Sequence, residues 1–416
     1  MRATAFVAVV VVLSQAHPDP ARAGAPDTVS RQLIARFTSA TAAAHAPSAA
    51  TEVGGTVTRR LTSIDAVVVR PRHGIALAAL RKALERRRDV RYAEPDVILS
   101  KSVTPDDPDL VRQYALGSGT GSISAREAWD TRTSCAKVAT LDSGAEYGHP
   151  DLKANIWHNP HEIAGNDRDD DHNGYIDDYY GVDIPKGRDS ATDDDGHGTH
   201  VAGIIGGRTN NATGIAGTCW TTTIVPVRFM DSRGRGSTSD AIAGMQYAAH
   251  AGAKVINCSF GAPTASQALH DEVADIKAKG VLLVVAAGND GKDLASDPSY
   301  PASYTDGNII SVAATTADDT LASFSNYNAK GVDLAAPGDS ILSTYPTDRY
   351  KVLSGTSMAA PFVTAAAAML RAKDPKASYS QIRQRLLSSV DQVAGLQGKV
   401  ASGGRLDLHR ALDAAS

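Results

Sequence analysis

Apolar residues in this chain gather in short, nearly unbroken runs and seldom alternate singly with polar ones. Past about residue 104 such runs occupy 138–141, 224–228, 255–258, 281–285 and 309–313. A run of this kind predicts a strand covered on both faces, as in a parallel sheet. Between the runs, apolar positions recur at helical spacing: in the segment opening at His197, over Ile242, Met245 and Ala249, and from about residue 266 to 279. Strand following helix following strand predicts βαβ units and an α/β fold, doubly wound, with a mainly parallel sheet and helices on both faces. A helix of small residues through Ala365-Ala366-Ala367-Ala368-Met369-Leu370 is apolar all round and is expected inside the core. A last helix is expected over Ile382, Leu386 and Leu387.

The first hundred residues follow a different pattern. Met1-Arg2, an apolar run from Ala3 to Leu13 and a small-residue ending at Ala21-Arg22-Ala23 predict a secretory signal peptide over 1–23. The apolar run is too short to cross a bilayer. Residues 24–103 then carry strands at 33–37 and 66–69, a helix with Leu77, Leu80 and Leu84 on one face, the basic run Arg86-Arg87-Arg88, and a closing strand at 90–96. This is a small α+β unit, too short for a large core. Residues 104–416 form the main domain.

Composition changes the picture little. With 42% hydrophobic and 21% charged residues and a formal net charge of −4, the chain is an ordinary soluble protein, with no surface implied for nucleic acid or membrane. Its three cysteines are too few for a disulfide framework. Cys258 lies in an apolar run and is expected to pack as a small hydrophobe. Cys135 and Cys219 each precede a predicted core strand; an oxidising compartment permits a bridge between them, and sequence leaves it open.

Chemistry concentrates in four short segments. Asp142-Ser143-Gly144 ends one apolar run, Gly196-His197-Gly198-Thr199-His200 opens a helix, Ala286-Ala287-Gly288-Asn289 ends another run, and Ser354-Gly355-Thr356-Ser357-Met358 opens the small-residue helix. A serine hydroxyl is a weak nucleophile near neutrality and needs a base, which His197 supplies, and a carboxylate to orient the ring, which Asp142 supplies. The amide of Asn289, with the backbone N–H of Ser357, would bind the oxyanion that forms. His200, one helical turn on, is expected to be structural. The run Asp193-Asp194-Asp195 keeps a metal hydrolase in view, but neither a His-Glu-x-x-His motif nor a cysteine pair accompanies it.

In the order Asp, His, Asn, Ser, these four segments resemble the subtilisin-like serine peptidases, or subtilases, over nearly the whole chain beyond residue 104. The resemblance implies a secreted endopeptidase acting on polypeptides through an acyl-enzyme. It also makes residues 24–103, with their Tyr92-Ala93-Glu94-Pro95-Asp96 ending, an inhibitory propeptide that is this enzyme's own intramolecular partner. A monomer is expected. Ser259-Phe260-Gly261 and Gly234-Arg235-Gly236 would clasp the extended substrate, with Phe260, Ala286, Ala287 and Gly288 lining the first specificity pocket for a neutral side chain. Arg235 departs from the small or polar residue usual there, which points to acidic or polar residues farther upstream in the substrate.

The spacing Asp169-x-Asp171-x-Asn173-Gly174-Tyr175, followed by Asp177-Asp178, matches the first half of a calcium loop. Its twelfth position is Tyr180 instead of Glu, so closure falls to Asp177 or Asp178. The subtilase resemblance implies a second Ca²⁺ site from Asp107, Asp151 and the loop Thr209, Asn211 and Thr213. Two other classes of function stay open on sequence: a catalytically idle subtilase-like binding protein and a calcium-dependent adhesion protein.

Overall fold

A computed structural model describes residues 29–97 and 104–413. The signal-peptide segment and the junction expected near residue 103 lie outside the described residues. The chain divides into two compact units, 1–101 and 102–416. Among the described residues no helix is long and apolar enough to cross a membrane.

In the first unit, strands β1 (Val29–Phe37), β2 (Gly55–Leu61), β3 (Ala66–Pro71) and β4 (Val90–Val97) form an antiparallel sheet in the order β2-β3-β1-β4. Three helices accompany it: α1 (Ala40–Ala44), α2 (Ala46–Glu52) and α3 (Leu77–Glu85). Leu80 and Leu84 of α3 are buried with Leu33, Phe37, Val67 and Val69. The expected elements are present. The pattern missed β2, whose half-exposed Thr-Val-Thr-Arg-Arg sequence carries no apolar run, and the alanine-rich α1 and α2.

The second unit is built on nine strands. They are β5 (Val138–Asp142), β6 (Val182–Asp183), β7 (Ile224–Arg228), β8 (Val255–Cys258), β9 (Leu282–Ala286), β10 (Ile309–Thr315), β11 (Leu334–Pro337), then, after the hairpin β12 (Ile341–Tyr345) and β13 (Arg349–Leu353), β14 (Asp391–Gln392) and β15 (Gly404–Arg405). The sheet order is β14-β15-β11-β10-β9-β8-β5-β7-β6, parallel except between β14 and β15. The helices are α4 (Ala125–Thr131), α5 (His197–Gly206), α6 (Thr238–His250), α7 (Gln267–Ala278), α8 (Thr356–Lys373), α9 (Tyr379–Ser388) and α10 (Leu408–Asp413). The helix expected to be last is therefore followed by a short one, whose Leu408, Ala411 and Leu412 are buried.

The unbroken apolar runs explain the layering. Successive strand residues point to opposite faces, so each run feeds two cores. Leu282, Val284 and Ala286 of β9 join one core with residues of α5 and α8, whereas Leu283 and Val285 join another with residues of α6 and α7. The chain leaves β5 to form β7 on one side and later β8 on the other. Asp142 thus sits at the carboxyl end of the strand where the winding reverses, the usual place for a site in such sheets. Cys135 and Cys219 are bonded, with Cα atoms 5.8 Å apart. Cys258 is free and fully buried, and that burial pushes its thiol pKa well up.

Candidate active site

His197 is the first residue of α5, and its Nδ1–H donates to Asp142 Oδ1 at 2.7 Å. Such an approach requires the helix start and the strand end to nearly touch. A Cβ on Gly198 would stand 2.1 Å from the Gly144 carbonyl oxygen, and one on Gly144, at φ +110°, 2.5 Å from that of Ala191. Glycine at both positions is what lets ring and carboxylate meet. Asp142 is fully buried, whereas 27% of the His197 side chain is exposed. Burial disfavours the imidazolium, but the charge and hydrogen bond of Asp142, helped by Asp195 and Asp193, outweigh it and push the pKa up to about 9.

A second carboxylate, not singled out by sequence, locks this pair. Asp193 Oδ1 accepts from the Ser143 hydroxyl (2.9 Å) and from the N–H groups of Asp195 (3.1 Å) and Gly196 (2.8 Å). Its Oδ2 accepts from the N–H (2.8 Å) and hydroxyl (2.5 Å) of Thr199. Ser143 Oγ in turn accepts from Gly198 N at 2.9 Å. The residues after Asp142 and after His197 are thereby tied to one point. Asp194 pairs with Arg228 at 2.9 Å, so neither residue is held as the metal-hydrolase reading of this run would need.

His200 is structural, as expected. Its Nε2–H lies 3.1 Å from the Ile341 carbonyl and 2.9 Å from that of Lys351, which fastens the β12–β13 hairpin to α5. Burial pushes its pKa down to about 4 and keeps it neutral.

Ser357 is the second residue of α8 and only 8% exposed. Pro361 lies four residues on inside the helix and has no N–H for the Ser357 carbonyl. Ser259 fills that gap: its hydroxyl donates to Ser357 O at 3.0 Å, while Ser357 Oγ donates to Ser259 O at 3.2 Å. Asn289 is anchored by its oxygen. Oδ1 accepts from the N–H (2.8 Å) and hydroxyl (2.9 Å) of Thr356, and Thr356 Oγ1 accepts from Gly288 N at 3.1 Å. With its carbonyl side so held, Asn289 keeps its amide N–H groups for another acceptor.

A cleft of about 420 Å³ brings together His197, Gly234, Arg235, Gly236, Ser259, Phe260 and Gly261. The two segments expected to clasp a peptide therefore share one cavity with the candidate base. Ala286, Ala287 and Gly288 do not line it: Ala286 and Ala287 are buried at the end of β9, and Ala287 N bonds to Val312 O. The Arg235 guanidinium is already paired with Asp231, 3.3 Å away.

The acidic loop assembles in part as expected. Carboxylate oxygens of Asp171 and Asp178 converge with one from Glu162, which sequence did not pick out, all within 4.8 Å of one another. Burial raises the pKa of both Glu162 and Asp178, and neighbouring carboxylates add to it. Asn173 and Asn159 each donate to both Asp171 and Asp178, and the Tyr247 hydroxyl donates to Asp178 at 2.6 Å. Glu162 is 5% exposed, and its Oε2 has no hydrogen-bond donor among the described residues. Asp169 stands outside this group because its oxygens accept from the N–H groups of Asn173 and Gly174 and shape the turn. The Tyr175 ring packs edge-on against Tyr247, 5.3 Å away, which leaves its carbonyl as the available donor atom. Asp177 is turned away to the N–H groups of Asn166 and Asp167.

Asp107, Asp151 and Asn211 also meet. Asp107 accepts from Asn210 N and Asn211 N, and the Asn211 amide donates to Asp151 at 2.8 Å. Both carboxylates are buried and neither has an ion pair among the described residues, but their oxygens have protein donors, Tyr350 among them. The Thr209 and Thr213 hydroxyls turn to backbone carbonyls, so only their main-chain oxygens remain for a cation.

Residues 134–404 match the subtilase family, and residues 15–96 match the fervidolysin N-terminal prodomain. Thermitase of Thermoactinomyces vulgaris is 38% identical over 311 residues, which cover 74% of this chain and 99% of thermitase. The thermophilic serine proteinase of Bacillus sp. (strain AK1) is 38% identical over 336 residues, 80% of this chain and 75% of that protein. Among solved structures, a protease from Pseudoalteromonas arctica PAMC 21717 aligns with a TM-score of 0.63 at 28% identity, covering 76% of this chain and 100% of that one.

Proposed function

This chain belongs to the subtilase family and is a serine endopeptidase with an N-terminal prodomain, and we propose that it cuts polypeptides with Ser357 as nucleophile, His197 as general base and Asp142 as orienter. The observation that carries this assignment is the 2.7 Å bond from His197 to the buried Asp142, beside a cleft that also holds Ser259, the hydrogen-bond partner of Ser357.

His197 Nε2 takes the Ser357 proton as Oγ attacks the substrate carbonyl, and Asp142 stabilises the imidazolium. The resulting oxyanion receives hydrogen bonds from the Asn289 amide and the Ser357 N–H at the start of α8, where the helix dipole also favours negative charge. His197 then returns the proton to the leaving amine, and water releases the acyl group by the same steps. In this reading residues 1–23 direct export, residues 24–103 act as an intramolecular inhibitor removed on activation, and the mature enzyme works outside the cell as a monomer.

Calcium completes the reading as a structural ion. Glu162, Asp171 and Asp178, with Asn173 and the Tyr175 carbonyl, fit a hard cation by their oxygen chemistry and by the orphaned Glu162 Oε2. Asp107, Asp151 and Asn211, with the carbonyls of Thr209 and Thr213, fit by charge. When bound, the ion would offset the repulsion among these buried carboxylates.

A fluorophosphonate probe tests the assignment. The purified enzyme should be labelled at Ser357, and Ser357→Ala should abolish both labelling and peptide hydrolysis, with at least a ~10⁴-fold loss of kcat and no change in melting temperature. Hydrolysis that persists in Ser357→Ala would remove the nucleophile assignment.

A further inference from the structure

Strand β8 lies inside the sheet between β5 and β9, and all but one of its residues are apolar. The exception is Asn257, fully buried and paired across the ladder with Thr140 and Val284. Asparagine is depleted in strands, and a buried amide costs free energy unless both its ends are bonded. Both are. Its Oδ1 accepts from the Thr364 hydroxyl at 2.9 Å, and its Nδ2–H donates to Ser259 Oγ at 2.8 Å. The Ser259 hydroxyl has a single hydrogen, which it donates to Ser357 O at 3.0 Å. A chain of buried hydrogen bonds thus runs from Thr364 through Asn257 and Ser259 to the backbone of Ser357. It leaves α8 and returns to it, since Thr364 lies about two turns beyond Ser357 on that helix. Pro361 stands between them, where the helix has no N–H of its own for Ser357 O.

We propose that Asn257 is a positioning residue for peptide hydrolysis: its amide aims the Ser259 hydroxyl at Ser357 O and so keeps the start of α8 fixed while the Ser357 hydroxyl changes partner. The proposal rests on reading Ser357 as the nucleophile. Ser259 and Ser357 are joined by two bonds, each hydroxyl donating to the other residue's carbonyl. Attack on a substrate requires the Ser357 hydroxyl to leave Ser259 O and turn to His197. One of the two bonds is then broken at every turnover, and the other must hold the backbone. A donor on the far side of Ser259 Oγ keeps that hydroxyl from rotating to another acceptor, and Asn257 Nδ2 is that donor. Thr364 fixes the amide in turn, by occupying its oxygen. Reacting groups displaced by about 1 Å lose rate steeply, so a restraint this small acts on kcat.

Kinetics on one fluorogenic peptide, with melting temperatures measured alongside, provide the test. Ser259→Ala removes the hydroxyl, and Asn257→Leu removes its donor at nearly constant volume. Each should lower kcat roughly five- to tenfold while KM stays within about twofold. Ser259→Thr, which keeps a hydroxyl, should recover most of the rate. Asn257→Leu and Ser259→Ala together should be no slower than the slower of the two alone, since both break the same chain. Thr364→Val cuts only the far anchor and should cost kcat about twofold. If Asn257→Leu does not fold, Thr364→Val and Ser259→Ala carry the test, and their losses should likewise fail to multiply. A lowered melting temperature with kcat unchanged overturns the proposal, because the amide would then serve stability alone. Losses that multiply in the double variants overturn it as well. If Ser357→Ala cuts the peptide as fast as the native enzyme, the function reading falls with it; if Ser357→Ala is inactive and the chain variants keep full kcat, this proposal alone falls.

Discussion

Asp193 and Asp178 are both buried carboxylates on the long segment between β5 and α5, yet one is held mainly by backbone donors and the other by side chains, two of which it shares with Asp171. Asp193 carries one charge and accepts five hydrogen bonds, three of them from backbone N–H groups. Asp178 shares the amides of Asn159 and Asn173 with Asp171 and lies against Glu162, one of whose oxygens has no donor among the described residues. The difference is a ratio of donors to charges. Where the backbone supplies donors, an acidic group is held by itself and ties the segments that carry Asp142 and His197 together. Where carboxylates crowd around shared amides, a bound cation would offset their repulsion.

Beside the pair Asp142 and His197, removing a donor should act on the rate. Asn289→Ala should lower kcat by ~10²–10³, about 2.7–4 kcal/mol in the transition state, with KM little changed; this magnitude is taken over from the corresponding donor of a subtilisin. A rise in KM at constant kcat would place Asn289 in ground-state binding instead.

Removing the saturated acceptor tests the comparison itself. Asp193→Ala strands the donors of Ser143, Gly196 and Thr199 together, at a cost of about 3–5 kcal/mol in denaturant unfolding. The loss should be equal with excess calcium and with excess chelator. A calcium-dependent loss would mean that Asp193 belongs with the metal group after all.

On the other side, chelation should lower the melting temperature, and added calcium should restore about 2–3 kcal/mol when it reaches ~100-fold above its dissociation constant. Glu162→Gln should shrink that response more than Asp169→Ala does, since Asp169 only shapes the turn. Superimposed melts with and without calcium would end the metal assignment for both sites.

The smallest effect is in pH. The pKa of His197 is raised from 6.5 to about 9, so the base is free to accept a proton only as pH rises through that window. The acid limb of kcat/KM should therefore lie above 6.5, on the way toward 9, and Asp142→Asn should move the remaining activity's limb down. The same shift makes the charged ring contribute stability that is fully present below pH 6.5 and lost as pH rises through about 9. An acid limb at or below 6.5 in the native enzyme would show that burial outweighs the carboxylates.

Much of this was legible in sequence because it rests on local pattern. The strands β5, β7, β8, β9 and β10 are unbroken apolar runs, and Asp142, His197, Asn289 and Ser357 each stand where such an element starts or ends. What escaped is what only folding brings together. Nothing in the spacing of Glu162 marks it, since it meets Asp171 and Asp178 through the turn of its own loop. Asp193 looked like part of an acidic run, because its five donors come from Ser143 and from both sides of His197. The two-residue strands β14 and β15 are too short to show a period. Ala286 and Ala287, expected in a pocket wall, are buried at the end of β9 and do not line the cleft beside His197.

The Cys135–Cys219 bond has its own bearing on how this protein ages. It closes a loop of 84 residues that contains Asp142, His197 and the entire acidic segment between them. A protease in solution is surrounded by copies of itself, and exposed loops are where one copy nicks another. A nick anywhere between residues 136 and 218 leaves both pieces covalently joined through this bond, with Asp142 and His197 still on one molecule. The crosslink thus makes the first self-inflicted cut in this region survivable.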